Sequence, residues 1–168
     1  MSTLATDTEL NTHLQRTVDP DVAALALAGA SGLVRDFCGW NLTRETVTFH
    51  VDTDYTQFFL NLPTLHLVDV LEIRVEGVAV DMDQPIPPRW LRRGQLCWNW
   101  PMHRKVEVDA VHGYDDTPDL VRLVTLTVAG RIVSNPDDVK SASVGSVSRT
   151  FDTSLSALEL RLLDPYRL

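Results

Sequence analysis

The stretch from Asp19 to Trp40, DPDVAALALAGASGLVRDFCGW, constrains the fold most strongly, because it encodes a helix with almost no polar side. Asp19 predicts an N-cap, Pro20 suits the first helical position and Gly39 is a typical stop, so the helix is expected from Pro20 to about Cys38. A helix that is apolar nearly all round is buried on more than one side. The stretch therefore predicts either a central core helix or a helix that packs partly against another subunit.

Small residues recur along this helix and leave room for close helix contacts. They are Ala23, Ala24, Ala26, Ala28, Gly29, Ala30 and Gly32. Extra methylenes at a crowded contact typically cost on the order of 1–3 kcal/mol. Ala26 and Gly29 are therefore candidate contact positions, where a leucine is expected to impair folding or assembly.

A second helix is predicted near the end of the chain. Thr117 is expected to cap it, Pro118 to take its first position and Asn135-Pro136 to end it. Helical spacing predicts one apolar face, made of Leu120, Leu123, Val124, Val128 and Ile132.

Two shorter helices are predicted at the ends of the chain. Ser156 and Glu159 form a capping-box pattern, and Pro165 follows as a terminator. Leu158 and Leu162 share one face of that helix. A weaker helical pattern near the start of the chain has Thr6 or Asp7 as its cap.

Between the helices the apolar period changes from 3.6 to two. Val47, Phe49 and Val51 alternate with polar residues, and LVDVLEIRVEGVAV, QLCWNW and KVEVDAVHGY predict further strands, with a turn at Glu76-Gly77. The expected fold class is α+β. We expect a single domain over residues 1–168, in which N-terminal, central and C-terminal helices frame a β-rich insertion of about residues 43–113.

Charge and cysteine content narrow the classes of function. The chain of 168 residues has a formal net charge of −8, which disfavours a free-standing nucleic-acid binder, because such proteins neutralise phosphates with Lys and Arg. Cys38 and Cys97 are isolated, so we expect two free thiols in a reducing compartment. The start lacks a secretion signal, and the uncharged run Val22–Val34 is too short for a membrane span. We therefore expect synthesis in a cytoplasm and no membrane association.

Weak candidates for chemistry occur in the β-rich middle. Asp52-Thr53-Asp54 and Asp81-Met82-Asp83 could supply carboxylates to a hard cation, but both lie where strands turn, and Asp is a common turn residue. Cys97 and His112 could form a nucleophile–base pair, but no orienting third group marks one. Neither pattern predicts catalysis, a metal or a cofactor.

Aromatic and basic residues cluster between positions 89 and 105. The cluster contains Trp90, Trp98 and Trp100 with Arg89, Arg92, Arg93, Arg104 and Lys105. Such residues stack single-stranded bases, and they are equally typical of protein interfaces. In an acidic chain we favour packing or an interface.

The order of these features resembles the head-to-tail connector, or adaptor, proteins of tailed bacteriophages, the head-completion family that docks under the portal. Three stretches carry the resemblance: Val22 to Trp40, Leu120 to Pro136, and Val144 to Arg167. The second ends in RIVSNP, and the third contains VGSVS and then LSALELRLLDPYR. They cover the helical scaffold and leave the β-rich middle unassigned.

The resemblance implies a structural, non-enzymatic subunit of the virion neck that is assembled in the host cytoplasm. It implies a cyclic oligomer, usually a dodecamer, that contacts the portal protein and a downstream neck or tail-completion protein. DNA would pass through the lumen without specific binding, since acidic walls repel phosphates. It implies no cofactor.

The strip from Asp137 to Phe151 is uncharged after Lys140 apart from Arg149, and suits a segment that orders on a neighbouring subunit or the portal. An ordinary intrachain loop is the alternative. The candidate interface residues are Ala26, Gly29, Val144, Val147, Phe151, Leu158, Leu162 and Tyr166.

Two other classes of function stay open from the residues alone. The first is a small-molecule or peptide-binding module built on the β-rich middle. The second is a metal-dependent hydrolase that uses the paired aspartates.

Overall fold

The computed structural model describes residues 3–53, 57–135, 141–144, 147–150 and 155–168. The helices are α1 (Asp7–Leu14), α2 (Pro20–Cys38), α3 (Asp119–Ser134) and α4 (Ala157–Leu163), with a 3-10 helix at Asp164–Tyr166. The strands are β1 (Glu45–Thr53), β2 (Gln57–Asn61), β3 (Leu67–Val75), β4 (Val78–Ala79), β5 (Arg89–Leu91), β6 (Gln95–Trp100), β7 (Arg104–His112), β8 (Ser141–Val144) and β9 (Val147–Thr150). The predicted α+β class, with helices on both sides of a β-rich middle, is confirmed.

Backbone contacts divide the chain into two compact units. The helical unit comprises Met1–Gly39 and Asp116–Arg167, and the β unit comprises Trp40–Asp115 with Leu168. The β unit coincides closely with the predicted insertion of residues 43–113. That the two units form one domain stays a prediction.

Helix α2 has the predicted ends. Asp19 Oδ1 accepts hydrogen bonds from the backbone N–H groups of Asp21 and Val22, and Gly39 stops the helix in the left-handed conformation at φ 79°. Its buried residues recur at intervals of three or four and are Ala23, Ala26, Leu27, Ala30, Ser31, Val34 and Cys38. Helix α2 therefore buries one side within its unit, where it packs on α3.

Helix α3 departs from the sequence prediction in two respects. Pro118, not Thr117, is the N-cap, and no side chain caps the helix. The predicted apolar face is wrong at Leu120 and Leu123, which are exposed. The buried residues are Val121, Val124, Thr125, Leu126, Val128, Ala129 and Gly130. The spacing did not identify the buried side because α3 is apolar nearly all round. Thr125 can be buried because its hydroxyl donates a hydrogen bond to the Val121 carbonyl at 2.8 Å.

Both end helices carry capping boxes, of which the sequence predicted the one at α4 and, for α1, only a cap at Thr6 or Asp7. Thr6 pairs reciprocally with Glu9 at the start of α1, and Ser156 with Glu159 at the start of α4. The Glu9 pKa is lowered, chiefly by the hydrogen bond from the Thr6 backbone N–H and despite partial burial.

The β unit holds two antiparallel sheets. The larger has the strand order β1-β7-β3-β4 and the smaller the order β2-β6-β5. Alternate side chains point inward as predicted, so that Phe49 of β1 lies opposite Val108 of β7. The core is formed by Phe49, Leu60, Leu62, Leu67, Val70, Ile73, Leu96, Trp100, Val106, Val108 and Ala110.

Turn chemistry closes the β3–β4 hairpin at the predicted place. Glu76 and Gly77 both have positive φ, 51° and 76°, which matches the twist of a two-residue hairpin turn.

Strands β2 and β5 were not predicted from the sequence. The first carries the run Phe58-Phe59-Leu60, which has no alternation, and the second directly follows a proline-rich corner.

The strip from Asp137 to Phe151 contains paired strands, which were not predicted from the sequence. Strands β8 and β9 form a two-stranded antiparallel sheet in which Val144 lies opposite Val147. Phe151, and the side chains of the two valines, lie outside the described residues.

Substitutions on the two sides of α2 should have opposite effects. Ala26 is only 1% exposed, so Ala26→Leu should destabilise the subunit by about 1–3 kcal/mol through overpacking. A Cβ at Gly29 would lie 3.6 Å from Ile132 Cδ1, an ordinary contact. Gly29→Ala should therefore stabilise the subunit by roughly 0.5–1 kcal/mol through helix propensity. Urea denaturation of the two variants tests this, and a neutral Ala26→Leu would contradict the tight packing.

Candidate assembly surfaces

One side of α2 is apolar and exposed. Val22, Leu25, Gly29 and Leu33 follow one another at intervals of three or four, so they lie on a single face, called here the α2 face. Leu25 is 75% exposed. Contiguous apolar surface of this kind marks protein contact sites on soluble proteins. The inner side of α2 agrees with the core-helix interpretation, and packing of the exposed side against another subunit stays a prediction.

An ion pair holds α4 in a fixed orientation. The buried carboxylate of Glu159 accepts hydrogen bonds from Arg131 Nη2 of α3 at 2.8 Å and from the Ser156 backbone N–H at 2.7 Å. Leu163, one turn further on, is fully buried. These two anchors leave Leu158 67% exposed on the outer side of α4. Sequence reasoning identified Glu159 only as a capping residue, because its partner lies 28 positions away.

The end of the chain packs on α2 through a cation–π contact. The Arg167 guanidinium carbon lies 5.3 Å from the centre of the Phe37 ring. Contacts of this type contribute about 0.5–1 kcal/mol at exposed sites. Arg167 thus tethers the residues after α4 to the C-terminal end of α2.

The larger sheet of the β unit carries a charge cluster on its outward face. Arg74 of β3 donates to Glu72, to Glu107 Oε2 at 3.0 Å and to Asp109 Oδ2 at 2.8 Å. Three carboxylates around one guanidinium give this sheet charge cluster a net charge of −2, since 1 − 3 = −2. The hydrogen bonds from Arg74 and then from Thr48 lower the pKa of Asp109, so this carboxylate keeps its negative charge at neutral pH.

A buried histidine at the end of β7 contacts the start of β1 and the loop between β2 and β3. His112 is 2% exposed, with Nδ1 at 3.1 Å from Thr64 Oγ1 and Nε2 at 3.2 Å from Glu45 Oε1. Burial lowers its pKa, because the charged ring is poorly solvated there, and Glu45 only partly opposes this effect. Thr64 and Glu45 thus occupy both ring nitrogens, and neither contact involves Cys97.

The candidate interface residues differ in exposure, and the side chains of three of them lie outside the described residues. Gly29 and Leu158 are exposed, and Leu162 and Tyr166 are partly buried. Ala26 is buried inside the helical unit. The backbones of Val144 and Val147 pair with each other, and Phe151 lies outside the described residues. Their role as an interface stays a prediction. Leu25 was missed, although the all-round apolar character of α2 was a signal for it.

The candidates for chemistry have structural roles. The Asp83 backbone N–H donates to Asp81 Oδ1 at 2.9 Å, an arrangement typical of a turn. Trp100 is buried in the core, so its ring is not free for stacking bases, and Trp98 meets it edge to face at 5.2 Å. Asp54 lies outside the described residues.

Among the described residues no three His, Cys, Asp or Glu side chains lie close enough together to hold a metal ion. In that same part of the chain no helix is long and apolar enough to cross a membrane. The free thiols are Cys38, whose pKa is raised to about 11 by burial, and Cys97.

The comparisons with known proteins give a structural match. No family model and no curated protein matches the chain. Among solved structures, a chain from the neck of an empty gene transfer agent particle, computed with C6 symmetry, matches with a TM-score of 0.62 at 13% identity. The match covers 95% of this chain and 87% of that chain. The chain has the fold of that neck protein. Because it spans both units, the match includes the β-rich insertion that the sequence resemblance left unassigned.

Lowering the pH should destabilise the β unit through His112. Its folded pKa lies below the unfolded value of about 6.5, so the unfolded chain binds more protons as the pH falls below that value. The free energy of unfolding should therefore fall between pH 7.5 and 5.5. Each unit of difference between the folded and unfolded pKa contributes about 1.4 kcal/mol.

Urea titrations at both pH values, on the native chain and on His112→Gln, measure this contribution. The variant should be less stable at pH 7.5 and should lose less stability on acidification. An equal loss in the two proteins would show that other groups cause the acid sensitivity.

Proposed function

We propose that this chain is a structural subunit of the neck of a tailed phage or phage-like particle, forming a ring between portal and tail around the DNA exit channel. The observation that carries the proposal is the likeness to a neck chain over 95% of the sequence. The α2 face and exposed Leu158 give independent support, since apolar helix surface of this kind is expected to be covered in an assembly.

We infer a ring of twelve copies. A twelve-fold ring contains a six-fold axis, so twelve subunits are compatible with the C6 symmetry of the matching neck particle. Cyclic symmetry requires heterologous contacts, in which two different surfaces of the same subunit meet. The α2 face is one such surface in this proposal.

The proposed partners are the portal protein on one side of the ring and a downstream neck or tail-completion protein on the other. DNA passes through the lumen without specific binding. The net charge of −8 and the sheet charge cluster favour this, because carboxylates repel phosphates and leave the duplex free to slide. The subunit acts without catalysis or a cofactor, is assembled in the host cytoplasm and ends in the virion neck.

Electron microscopy and multi-angle light scattering of the purified chain, with and without its portal protein, test the proposal. Closed rings of twelve, either alone or on the portal, are the expected result. A chain that stays monomeric with the portal present would contradict it.

Substitutions of Leu25 and Leu27, which lie on the exposed and the buried side of α2, should distinguish an effect on assembly from an effect on folding. Leu25→Ala should leave the melting temperature nearly unchanged, because the side chain is exposed. It should weaken ring formation by a hot-spot amount of about 2 kcal/mol, roughly 30-fold.

Leu27→Ala is the matched control. Leu27 is 1% exposed, and its truncation should cost about 2–5 kcal/mol of folding stability. Thermal unfolding and sedimentation of both variants distinguish the two effects. If Leu25→Ala forms rings as well as the native chain does, the α2 face is not a subunit contact.

A further inference from the structure

The smaller sheet of the β unit has a pocket beside its central strand. Strand β5 pairs with β6 only from Arg89–Cys97 to Leu91–Gln95, whereas β6 continues to Trp100. Where β5 no longer covers β6, a pocket of about 480 Å³ opens. We call it the β6 pocket. Ligand-binding clefts in proteins typically measure about 300–1,000 Å³, so its size suits a large side chain with its flanking backbone.

The walls of the β6 pocket are mainly apolar. Phe58, Ile86, Pro87 and Trp98 contribute to them. Ile86 is 77% exposed, so the subunit leaves this apolar surface in water. Covering it would be favourable because apolar area would be removed from water.

Two polar side chains at the pocket, Gln84 and Arg89, lack an acceptor or an anionic partner among the described residues. Gln84 lines it, and the Gln84 Nε2 atom is buried without a hydrogen-bond acceptor among the described residues. An incoming acceptor would remove the cost of leaving this buried donor unpaired. Arg89 also lines the pocket, is exposed, and forms no ion pair within the described part of the chain. The pocket therefore fits an apolar side chain with a carbonyl or carboxylate oxygen beside it.

The chain itself contains a segment with this chemistry. Phe151 is followed at once by Asp152, directly after β9 and before the Ser156 cap of α4. We propose that the β6 pocket of one subunit receives Phe151 and Asp152 of a second copy, with Phe151 against the apolar wall and Asp152 facing Arg89.

This contact deepens the proposed function and rests on it, because it joins two different surfaces of identical chains. Such a heterologous contact propagates from subunit to subunit and closes into a ring when the rotation allows. The charge complementarity between Asp152 and Arg89 fixes the direction of the segment in the pocket.

A peptide-binding experiment tests the contact without a ring. The probe is a fluorescein-labelled peptide of residues 150–155, TFDTSL. The receptor is the full chain with Phe151→Ala and Asp152→Ala, so that its own segment cannot compete. Fluorescence anisotropy should show saturable binding, weakened at least tenfold when the peptide carries Phe151→Ala. The same loss is expected when the receptor carries Ile86→Arg, a change at an exposed side chain, with the melting temperature as its folding control.

A charge exchange makes the test specific. Arg89→Asp in the receptor should weaken binding of the native peptide. Asp152→Arg in the peptide should restore binding to the Arg89→Asp receptor and not to the receptor that retains Arg89. Absence of binding by the native peptide, or binding that Ile86→Arg leaves unchanged, would overturn the inference.

Disulfide trapping decides whether the segment comes from a second copy. Cys97 lines the β6 pocket, and Cys38 is buried. In a Thr153→Cys chain assembled with its portal, oxidation by copper phenanthroline should join the new thiol to Cys97 of a neighbour. Non-reducing electrophoresis should then show a ladder of covalent multimers, which Cys97→Ser abolishes. Monomers with an internal disulfide, or no crosslink, would overturn the contact between copies.

The two proposals fail in different ways. Rings that form while the peptide does not bind would overturn the pocket contact and leave the neck function intact. Peptide binding by a chain that never forms rings would contradict the neck function and support the pocket as a site for this segment.

Discussion

The close packing of α2 on α3 is the interaction on which the helical unit depends. Ala23, Ala26 and Ala30 are fully or almost fully buried on one side of α2, and their small side chains allow the two helices to approach closely. Helices α1 and α4 then attach to α3, so all four helices are organised by this one contact. Because the small residues fill the inner side, the bulkier Val22, Leu25 and Leu33 are left on the outside.

That division explains why an all-round apolar helix occurs in a chain of this size. An apolar helix side left in water is unfavourable, so covering both sides of such a helix stabilises it further. Helix α3 covers the inner side within the subunit. The outer side needs a second surface, and the proposed ring supplies one at every subunit. Helix α4, held by Arg131 and Glu159, presents Leu158 as a further exposed apolar side chain.

Local chemistry made much of the fold predictable from the sequence. The caps at Asp19 and Ser156, the Gly39 stop and the alternation in β1 each depend on residues within a few positions. The apolar face predicted for α3 was wrong at Leu120 and Leu123, because apolar spacing cannot show which of two apolar faces is buried. The Arg131–Glu159 ion pair, the sheet charge cluster and the β6 pocket could not be predicted, since each joins residues far apart in the sequence.

Charge and apolar surface act in opposite directions in the proposed assembly. The α2 face and the β6 pocket favour association, whereas a net charge of −8 on every copy opposes it. The electrostatic repulsion between neighbouring copies acts through water, and at physiological salt it is screened beyond about 8 Å. Apolar contacts act only where the surfaces touch. In the proposed assembly, the balance between these two effects therefore decides whether the subunits associate alone or only on a template such as the portal.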